Sequence, residues 1–164
     1  MRILVVSDTH GDIDRLYDVV SKYRLSVDIV LHLGDNLSDA ENVMRDFPTI
    51  AFLGVKGNCD FSYMLSDAKN EGCFTAEGRR IFYTHGHRYN VNYGTEYLVS
   101  NAKFNRCDIA LYGHTHIRFC DEQNGVLVVN PGSLSRPRDN SNGSYCVLDI
   151  KDTKVKCEIL EVSQ

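Results

Sequence analysis

Histidine, aspartate and asparagine side chains stand at the ends of several apolar runs of this 164-residue chain. The clearest case is the segment LYGHTH, in which His114 and His116 follow a glycine at the end of the run CDIALYG. Aspartate and asparagine offer hard oxygen atoms and histidine offers nitrogen, a mixture that suits divalent transition metals. The same pattern occurs at the ends of other runs, with Asp8 and His10 in SDTHGD, Asp35 in LGDN, Asn58 in GNCD and His85 in HGH.

The number and spacing of these side chains predict a pair of metal ions. Residues two apart in an extended chain point to the same side, so the Asp8/His10 pair and the two histidines of HTH would each supply two ligands if the backbone stays extended there. Seven ligands are too many for one ion of this class, whereas two ions that share Asp35 would use them all. Such a pair, about 3.5–4 Å apart, can hold a hydroxide between the metals and bind two oxygens of a phosphate.

The charge of such a centre gives a weak preference for phosphodiesters. Two divalent ions bring four positive charges, and the carboxylates of Asp8 and Asp35 remove two of them. A hydroxide and a phosphodiester, with one negative charge each, neutralise the remainder, whereas a phosphomonoester dianion overshoots by one charge.

Each segment taken alone also has an ordinary structural interpretation. The HTH segment could lie on the surface or hold buried, hydrogen-bonded histidines, SDTH could cap a helix, and GDN and GNCD could be turns. Their joint occurrence favours a metal centre, because five of the six histidines lie in or beside these strand-end segments. His32 is the exception, since it falls inside an apolar run and fits a core or supporting role.

The elements that must position these residues alternate between strands and helices in the first half of the chain. Such alternation predicts βαβ units and a parallel sheet. We predict strands over residues 2–6, 27–34 and 49–55 and helices over residues 12–23 and 38–47, capped by Asp12 and Ser38 respectively.

The second half of the chain is richer in strands, which predicts a second sheet packed on the first with helices outside. Because ligands of α/β proteins bind at the carboxyl ends of strands, the polar strand ends would converge at one edge. We predict a hairpin turning at residues 77–78, a helix over 93–105, a strand over 107–113, a hairpin around 121–125 and a last pair of strands around 151–153.

Length and composition indicate one domain over residues 1–164, with 43% hydrophobic residues to form a core. A net charge of −4 and a pI of about 5.8 argue against stable binding to nucleic acid. No apolar run is long enough to cross a bilayer, and the start MRILVVSDTH lacks the long apolar segment of a signal peptide. Six cysteines without CxxC spacing fit a reduced compartment, most of them as small core residues. We therefore expect a cytoplasmic protein without a membrane interaction.

The order D-x-H, G-D, G-N, H and G-H-x-H resembles the calcineurin-like metallophosphoesterase superfamily. The short chain, GNCD and NPGSLSRPR resemble more narrowly its compact bacterial and archaeal phosphodiesterases of the YfcE type. The resemblance implies a four-layer α/β/β/α sandwich and two divalent ions per chain, Mn²⁺ first, with Ni²⁺, Zn²⁺, Fe²⁺, Co²⁺ or Mg²⁺ as alternatives. By that resemblance one ion takes Asp8, His10, Asp35 and His116, and the other takes Asp35, Asn58, His85 and His114.

The same resemblance assigns roles to further residues. Asn58 and His85 would help hold the phosphoryl oxygens. Cys59 stands where many members carry a histidine that assists departure of the leaving group, so its thiol is either a weaker proton donor or a small residue packed under the site. The related motif G-D-x-x-D would require aspartate at Ser38, where this chain has Asp39 one place later, which puts a supporting carboxylate in doubt.

Other polar residues near the motifs could support the ligands or contact substrate. We assign such roles to His87, Asp60 and Arg136, although His87 could also replace His85 as a ligand. Arg136 and Arg138 could equally be solvated loop charges or contacts to another subunit. In NPGS, Asn130 or Ser133 could hold an imidazole N–H.

The predicted activity is hydrolysis of small phosphate esters, in first place phosphodiesters, by a hydroxide that bridges two ions. The main alternative is a non-catalytic scaffold that resembles the retromer small subunit, in which the metal site is eroded. A phosphoprotein phosphatase would pair GDxxDRG with GNHE, and this chain has neither. The family resemblance also suggests a homodimer or a homotetramer.

Overall fold

The computed structural model describes residues 1–60 and 68–163. Within these residues, ten strands and three α-helices alternate at first and give way to a strand-rich second half. The strands are β1 (Arg2–Val6), β2 (Ile29–His32), β3 (Ala51–Gly54), β4 (Glu71–Ala76), β5 (Arg79–Thr84), β6 (Ile109–Leu111), β7 (Arg118–Gln123), β8 (Val126–Pro131), β9 (Ser144–Lys151) and β10 (Lys154–Glu161), and the helices are α1 (Ile13–Tyr23), α2 (Leu37–Met44) and α3 (Glu96–Phe104).

Two five-stranded mixed sheets form the centre of the structure. The first sheet has the strand order β10-β9-β1-β2-β3, and the second has the order β4-β5-β6-β8-β7. Strands β1, β2 and β3 run parallel, as do β5, β6 and β8. The carboxyl ends of each parallel set therefore lie at one end of its sheet.

The two sheets pack face to face and the helices cover their outer faces. Strand β1 shows this arrangement through its period-two alternation. Leu4 and Val6 join the core that α1 and α2 form with the first sheet, whereas Ile3 and Val5 join the core between the two sheets. A third core packs α3 against the second sheet. These layers confirm the predicted four-layer α/β/β/α sandwich.

The predicted elements are present, most with shorter bounds. The hairpins turn at residues 77–78, 124–125 and 152–153, and both turn residues of each have positive φ, as type I′ turns require. Helix α1 begins after Asp12, whose side chain accepts a hydrogen bond from the Arg15 N–H, as predicted. The prediction that most cysteines are core residues was wrong, because only Cys107 and Cys146 are buried.

The predicted cap of the second helix, Ser38, was also wrong. Helix α2 begins one residue earlier, at Leu37, after Asn36 in the left-handed conformation with a φ of 70°. The Leu37 N–H donates to a carboxylate oxygen of Asp60, at 2.8 Å. A distant side chain thus provides the acceptor that a local cap supplies in most helices.

In the described part of the chain, no helix is long and apolar enough to cross a membrane.

Candidate metal centre

The predicted ligands meet where the carboxyl ends of the two parallel sets of strands adjoin. Asp8 and His10 follow β1, Asp35 follows β2, Asn58 follows β3, His85 follows β5, and His114 and His116 follow β6. A cavity of about 280 Å³ lies at this edge. It is lined by His10, Asp35, Asn58, Cys59, His114, His116, Arg136 and Arg138.

Four of the seven predicted ligands form a tight cluster around one point. One ligand atom from each of Asp8, His10, Asp35 and His116 lies within 4.8 Å of the others. His116 Nε2 is 3.1 Å from Asp8 Oδ1 and 3.3 Å from His10 Nε2. His10 Nε2 is in turn 3.8 Å from Asp35 Oδ2. These atoms are the set predicted for the first ion.

The hydrogen bonds of this cluster leave acceptors that face one another. Within the described residues, Asp8 Oδ1 is buried and accepts no hydrogen bond, whereas its Oδ2 accepts from Ser7 Oγ and from the His114 N–H. The His116 Nδ1–H donates to the Arg136 carbonyl at 2.6 Å, which leaves the Nε2 lone pair aimed at Asp8. A cation between these atoms would satisfy both, so the residues fit a divalent metal ion.

In the metal-free chain a proton can take the place of that cation. Burial lowers the pKa of His116, but the adjacent Asp8 carboxylate and the Arg136 carbonyl raise it, and the net shift is upward. Burial likewise raises the pKa of Asp8, yet the interactions with His116 and His85 lower it overall. The opposite shifts favour a protonated His116 beside an ionised Asp8 in the metal-free chain.

The residues predicted for the second ion lie beside this cluster but are less tightly gathered. His85 Nε2 is 3.1 Å from Asn58 Oδ1 and 3.4 Å from Asp35 Oδ1, and its Nδ1–H donates to the Leu33 carbonyl at 2.7 Å. The rings of His85 and His114 are 5.1 Å apart. His114 Nε2, however, lies 3.0 Å from the amide nitrogen of Asn92, a residue that sequence analysis missed.

The backbone at five of the seven candidate ligands is left-handed and not extended. Positive φ values occur at Asp8 (55°), His10 (46°), Asp35 (60°), His114 (68°) and His116 (60°). The condition that the chain stays extended at the two ligand pairs is therefore not met, and left-handed turns bring these side chains together at the edge of the cavity. Non-glycine residues adopt this conformation rarely and at a cost of about 1–2 kcal/mol each, and such strain is concentrated at functional sites.

Glycines beside the ligands allow close approach of neighbouring segments. A Cβ atom on Gly57 would overlap Asp35 Oδ1 and the Asp35 N–H, and a Cβ atom on Gly113 would overlap Ser7 Oγ. Both segments can therefore pack against a ligand loop only without a side chain at these positions.

A buried polar network supports the loop that carries Asp8 and His10. Asp39, which is only 3% exposed, accepts hydrogen bonds from Thr9 Oγ1 at 2.6 Å and from the Gly11 N–H at 2.9 Å. Asp39 thus serves as a supporting carboxylate despite its displaced position in the motif, and the doubt raised by the sequence is removed.

His32 belongs to the same buried network through its contact with Thr9. Its Nε2 is 3.1 Å from Thr9 Oγ1, and its Nδ1 accepts the Gly34 N–H at 3.1 Å. Because Nδ1 accepts a hydrogen bond, the ring is neutral and Nε2 is the donor. Complete burial lowers the pKa of His32 to about 4, against the opposing effect of Asp60 and Asp39.

Asp60 holds the loop that carries Asp35. Its carboxylate accepts the backbone N–H groups of Asp35 at 2.9 Å, Gly57 at 2.7 Å and Leu37 at 2.8 Å. The Cys59 N–H in turn donates to Asp35 Oδ1 at 2.8 Å. The segment GNCD therefore fixes both the backbone and the carboxylate of the predicted bridging residue.

The NPGS segment supports the centre through backbone groups, not through an imidazole. Ser133 Oγ donates to the Asp8 carbonyl at 2.8 Å, and Asn130 Nδ2 donates to the Gly113 carbonyl at 2.9 Å. The prediction that Asn130 or Ser133 holds an imidazole N–H was wrong, since the Arg136 carbonyl holds that of His116.

The remaining predicted residues lie in or next to the cavity. The Cys59 thiol lines it, and burial together with Asp35 raises the pKa of Cys59 to about 11, so the thiol is neutral at pH 7. The His87 ring is 5.4 Å from that of His85, and within the described residues its buried Nδ1 has no hydrogen-bond partner. Arg136 and Arg138 both line the cavity and are exposed.

This fold and this site define a class of metal-dependent hydrolases with a ligand cluster at the carboxyl ends of two adjoining parallel sets of strands. The calcineurin-like phosphoesterase superfamily domain matches residues 1–153. The chain belongs to this family of hydrolytic phosphoesterases, which bind divalent metals.

Relatives support the same family. The probable metallophosphoesterase YsnB of Bacillus subtilis is 31% identical over 152 residues, which cover 93% of this chain and 86% of that protein. Phosphodiesterase YfcE of Escherichia coli K12 is 28% identical over 168 residues, which cover 91% of this chain and 88% of that protein. The predicted resemblance to compact YfcE-type proteins is thereby confirmed.

A solved structure of a more distant protein shares the fold. Wild-type Vps29 of Entamoeba histolytica, complexed with Zn²⁺, superposes with a TM-score of 0.74 at 22% identity and covers 99% of this chain and 100% of that one. This likeness shows the fold alone.

Proposed function

We propose that this chain is a phosphodiesterase that works with two divalent cations, Mn²⁺ in first place. The observation that carries the proposal is the buried Asp8 Oδ1, which accepts no hydrogen bond within the described residues and faces His116 Nε2 at 3.1 Å. Because a buried carboxylate oxygen without a partner is costly, the site is organised for a cation. The charge balance and the named relatives support a diester as substrate.

The residues that would hold the ions divide into two sets that share Asp35. When bound, the pair of ions supplies a hydroxide at neutral pH and positive charge beside the phosphate oxygens. Asp35 suits the shared position because its Oδ2 faces His10 and its Oδ1 faces His85. The first set is Asp8, His10, Asp35 and His116, and the second is Asp35, Asn58, His85 and His114.

The protein groups around the cavity would bind and orient the substrate. Arg136 and Arg138 offer charged donors to a phosphate oxygen. Asn58 and His85 lie together at the other side of Asp35, where they help hold the phosphoryl group. His114 serves the second ion if it exchanges its contact with Asn92 for the metal.

The proposal is tested by hydrolysis of bis(4-nitrophenyl) phosphate and of 4-nitrophenyl phosphate by the purified chain with Mn²⁺, Ni²⁺, Zn²⁺ or Mg²⁺. We expect turnover of the diester to exceed that of the monoester, and we expect a chelator to abolish it reversibly. Asp8→Ala and His116→Ala should each lower diester kcat by about 100-fold or more, since both remove a ligand. The exposed Asp18→Asn is the matched control and should keep wild-type rates.

The scaffold alternative predicts a different result in the same experiment. Metal binding alone does not separate the two, because Vps29 of Entamoeba histolytica was itself solved with Zn²⁺. A chain that binds two ions per molecule but hydrolyses neither ester with any of the four metals would be a scaffold.

We further propose that residues 1–164 form a single domain that acts in the cytoplasm on small phosphate esters. A homodimer or a homotetramer is the proposed state. Light scattering of the metal-loaded protein tests this state, and a monomer at micromolar concentration would contradict it.

A further inference from the structure

A second cavity adjoins the candidate metal centre. It has a volume of about 490 Å³. Its lining includes Val91, Tyr112, Thr115, Ile117, Phe119 and Arg138. We call this cavity the side groove.

The HTHI segment separates the two cavities. His114 and His116 line the metal cavity, whereas the alternate residues Thr115 and Ile117 line the side groove. Arg138 lines both, and its backbone N–H is held by the His116 carbonyl at 2.9 Å. A molecule whose phosphate binds beside Arg138 would therefore have its substituent at the mouth of the side groove.

The lining of the side groove fits an uncharged ring. Val91 and Tyr112 are 6% and 4% exposed and form a fixed apolar floor, while Ile117 is 47% exposed and stands at the surface. Phe119 packs beside Tyr112 with ring centroids 6.5 Å apart. A half-exposed isoleucine next to aromatic rings gains contact when an apolar ring is placed against it.

We propose that the side groove binds an aromatic ester substituent of the substrate while Arg138 contacts the phosphate. The inference rests on the proposed function in taking the metal cavity as the phosphate site. It narrows the substrate class to phosphate esters that carry a flat, uncharged ring, and it makes Ile117 and Phe119 specificity-determining residues.

The experiment measures binding of two phosphonates to the Mn²⁺-loaded protein by calorimetry. Ethylphosphonate and 2-phenylethylphosphonate have the same anionic head group and differ only in the ring. We expect the phenyl compound to bind the wild type about 10-fold more tightly than the ethyl compound, which is a Kd ratio of about 10. Ile117→Ser and Phe119→Leu should each reduce this ratio by about 3- to 5-fold. Met44→Ser, which changes an apolar residue of similar exposure on α2, should keep the ratio.

The Kd ratio separates this inference from the proposed function, because it requires no turnover. Equal affinity of the two phosphonates for the wild type, or an unchanged ratio in both variants, would overturn the side groove as a ring site. Failure of the wild type to hydrolyse any ester would refute the proposed function, while a ring preference that depends on Ile117 would still stand.

Discussion

Replacement of Asp60 by asparagine should destabilise the chain and loosen the metal centre together. The Asp60 carboxylate accepts three backbone N–H groups, those of Asp35 and Gly57 on Oδ2 and that of Leu37 on Oδ1. An asparagine oxygen at the Oδ2 position keeps two of these bonds without the charge. Its amide NH₂ then faces the Leu37 N–H, so two donors oppose each other.

The expected magnitude follows from these three contacts. A hydrogen bond to a charged group contributes about 1.5–3 kcal/mol, and a buried N–H left without an acceptor costs about 1–3 kcal/mol. Asp60→Asn loses one bond and the charge on two others, so we expect the free energy of unfolding to fall by about 2–3 kcal/mol. Asp60→Ala loses all three bonds, so the free energy of unfolding should fall by about 4.5 kcal/mol or more, a large part of the stability of a domain this size.

The assay is urea unfolding of the metal-free protein at pH 7, followed by far-UV circular dichroism, with calorimetric Mn²⁺ titration of the same proteins. Because Asp60 positions the Asp35 backbone, metal affinity should fall about 10- to 100-fold in Asp60→Asn. Asp18→Asn, an exposed aspartate on α1, controls for the loss of one negative charge. Unfolding of Asp60→Asn within about 0.5 kcal/mol of the control would refute the reasoning.

The remaining predictions concern pH and the leaving group. The pKa of His32 is about 4 in the folded chain and about 6.5 in an unfolded chain, so the unfolded state binds the proton first as the pH falls. Metal-free wild type should therefore lose about 3 kcal/mol more stability between pH 7 and pH 4 than His32→Asn, which keeps an acceptor for the Gly34 N–H; parallel pH profiles would contradict this. For Cys59→Ala we expect hydrolysis of aryl phosphodiesters to depend more steeply on the pKa of the leaving group, because the neutral thiol lines the cavity and can donate a proton. Equal slopes would show that Cys59 takes no part in that step, and Cys59→His should make the slope shallower.

Local sequence patterns predicted much of the fold. The continuous apolar run of residues 3–6 predicted β1, and the helical spacing of apolar residues predicted α1. The turn residues at 77–78 and within 121–125 predicted two hairpins, because positive φ depends on near neighbours alone. The cap of α2 could not be found in this way. Its acceptor is Asp60, which is 23 residues away from Leu37 in the chain.

The candidate site was visible in the sequence as residue types, but not as geometry. Sequence analysis missed the Asn92 amide at His114 and the Arg136 carbonyl at His116. No pattern could have indicated the second contact, since every residue has a carbonyl group. The left-handed backbone at the ligands could not be predicted either, although the glycines beside them indicated that the chain turns there.

The sequence by itself determined which atoms are available: two carboxylates, one amide and four imidazoles, each placed where an apolar strand ends. Only the tertiary structure decided that Asp8 Oδ1, His116 Nε2 and His10 Nε2 lie within about 4 Å of one another, and that a second cavity of about 490 Å³ adjoins the centre. The physical reason is that residue types are properties of single positions. Distances across 106 residues of chain depend instead on how two sheets pack, and that packing is fixed by the whole core between them.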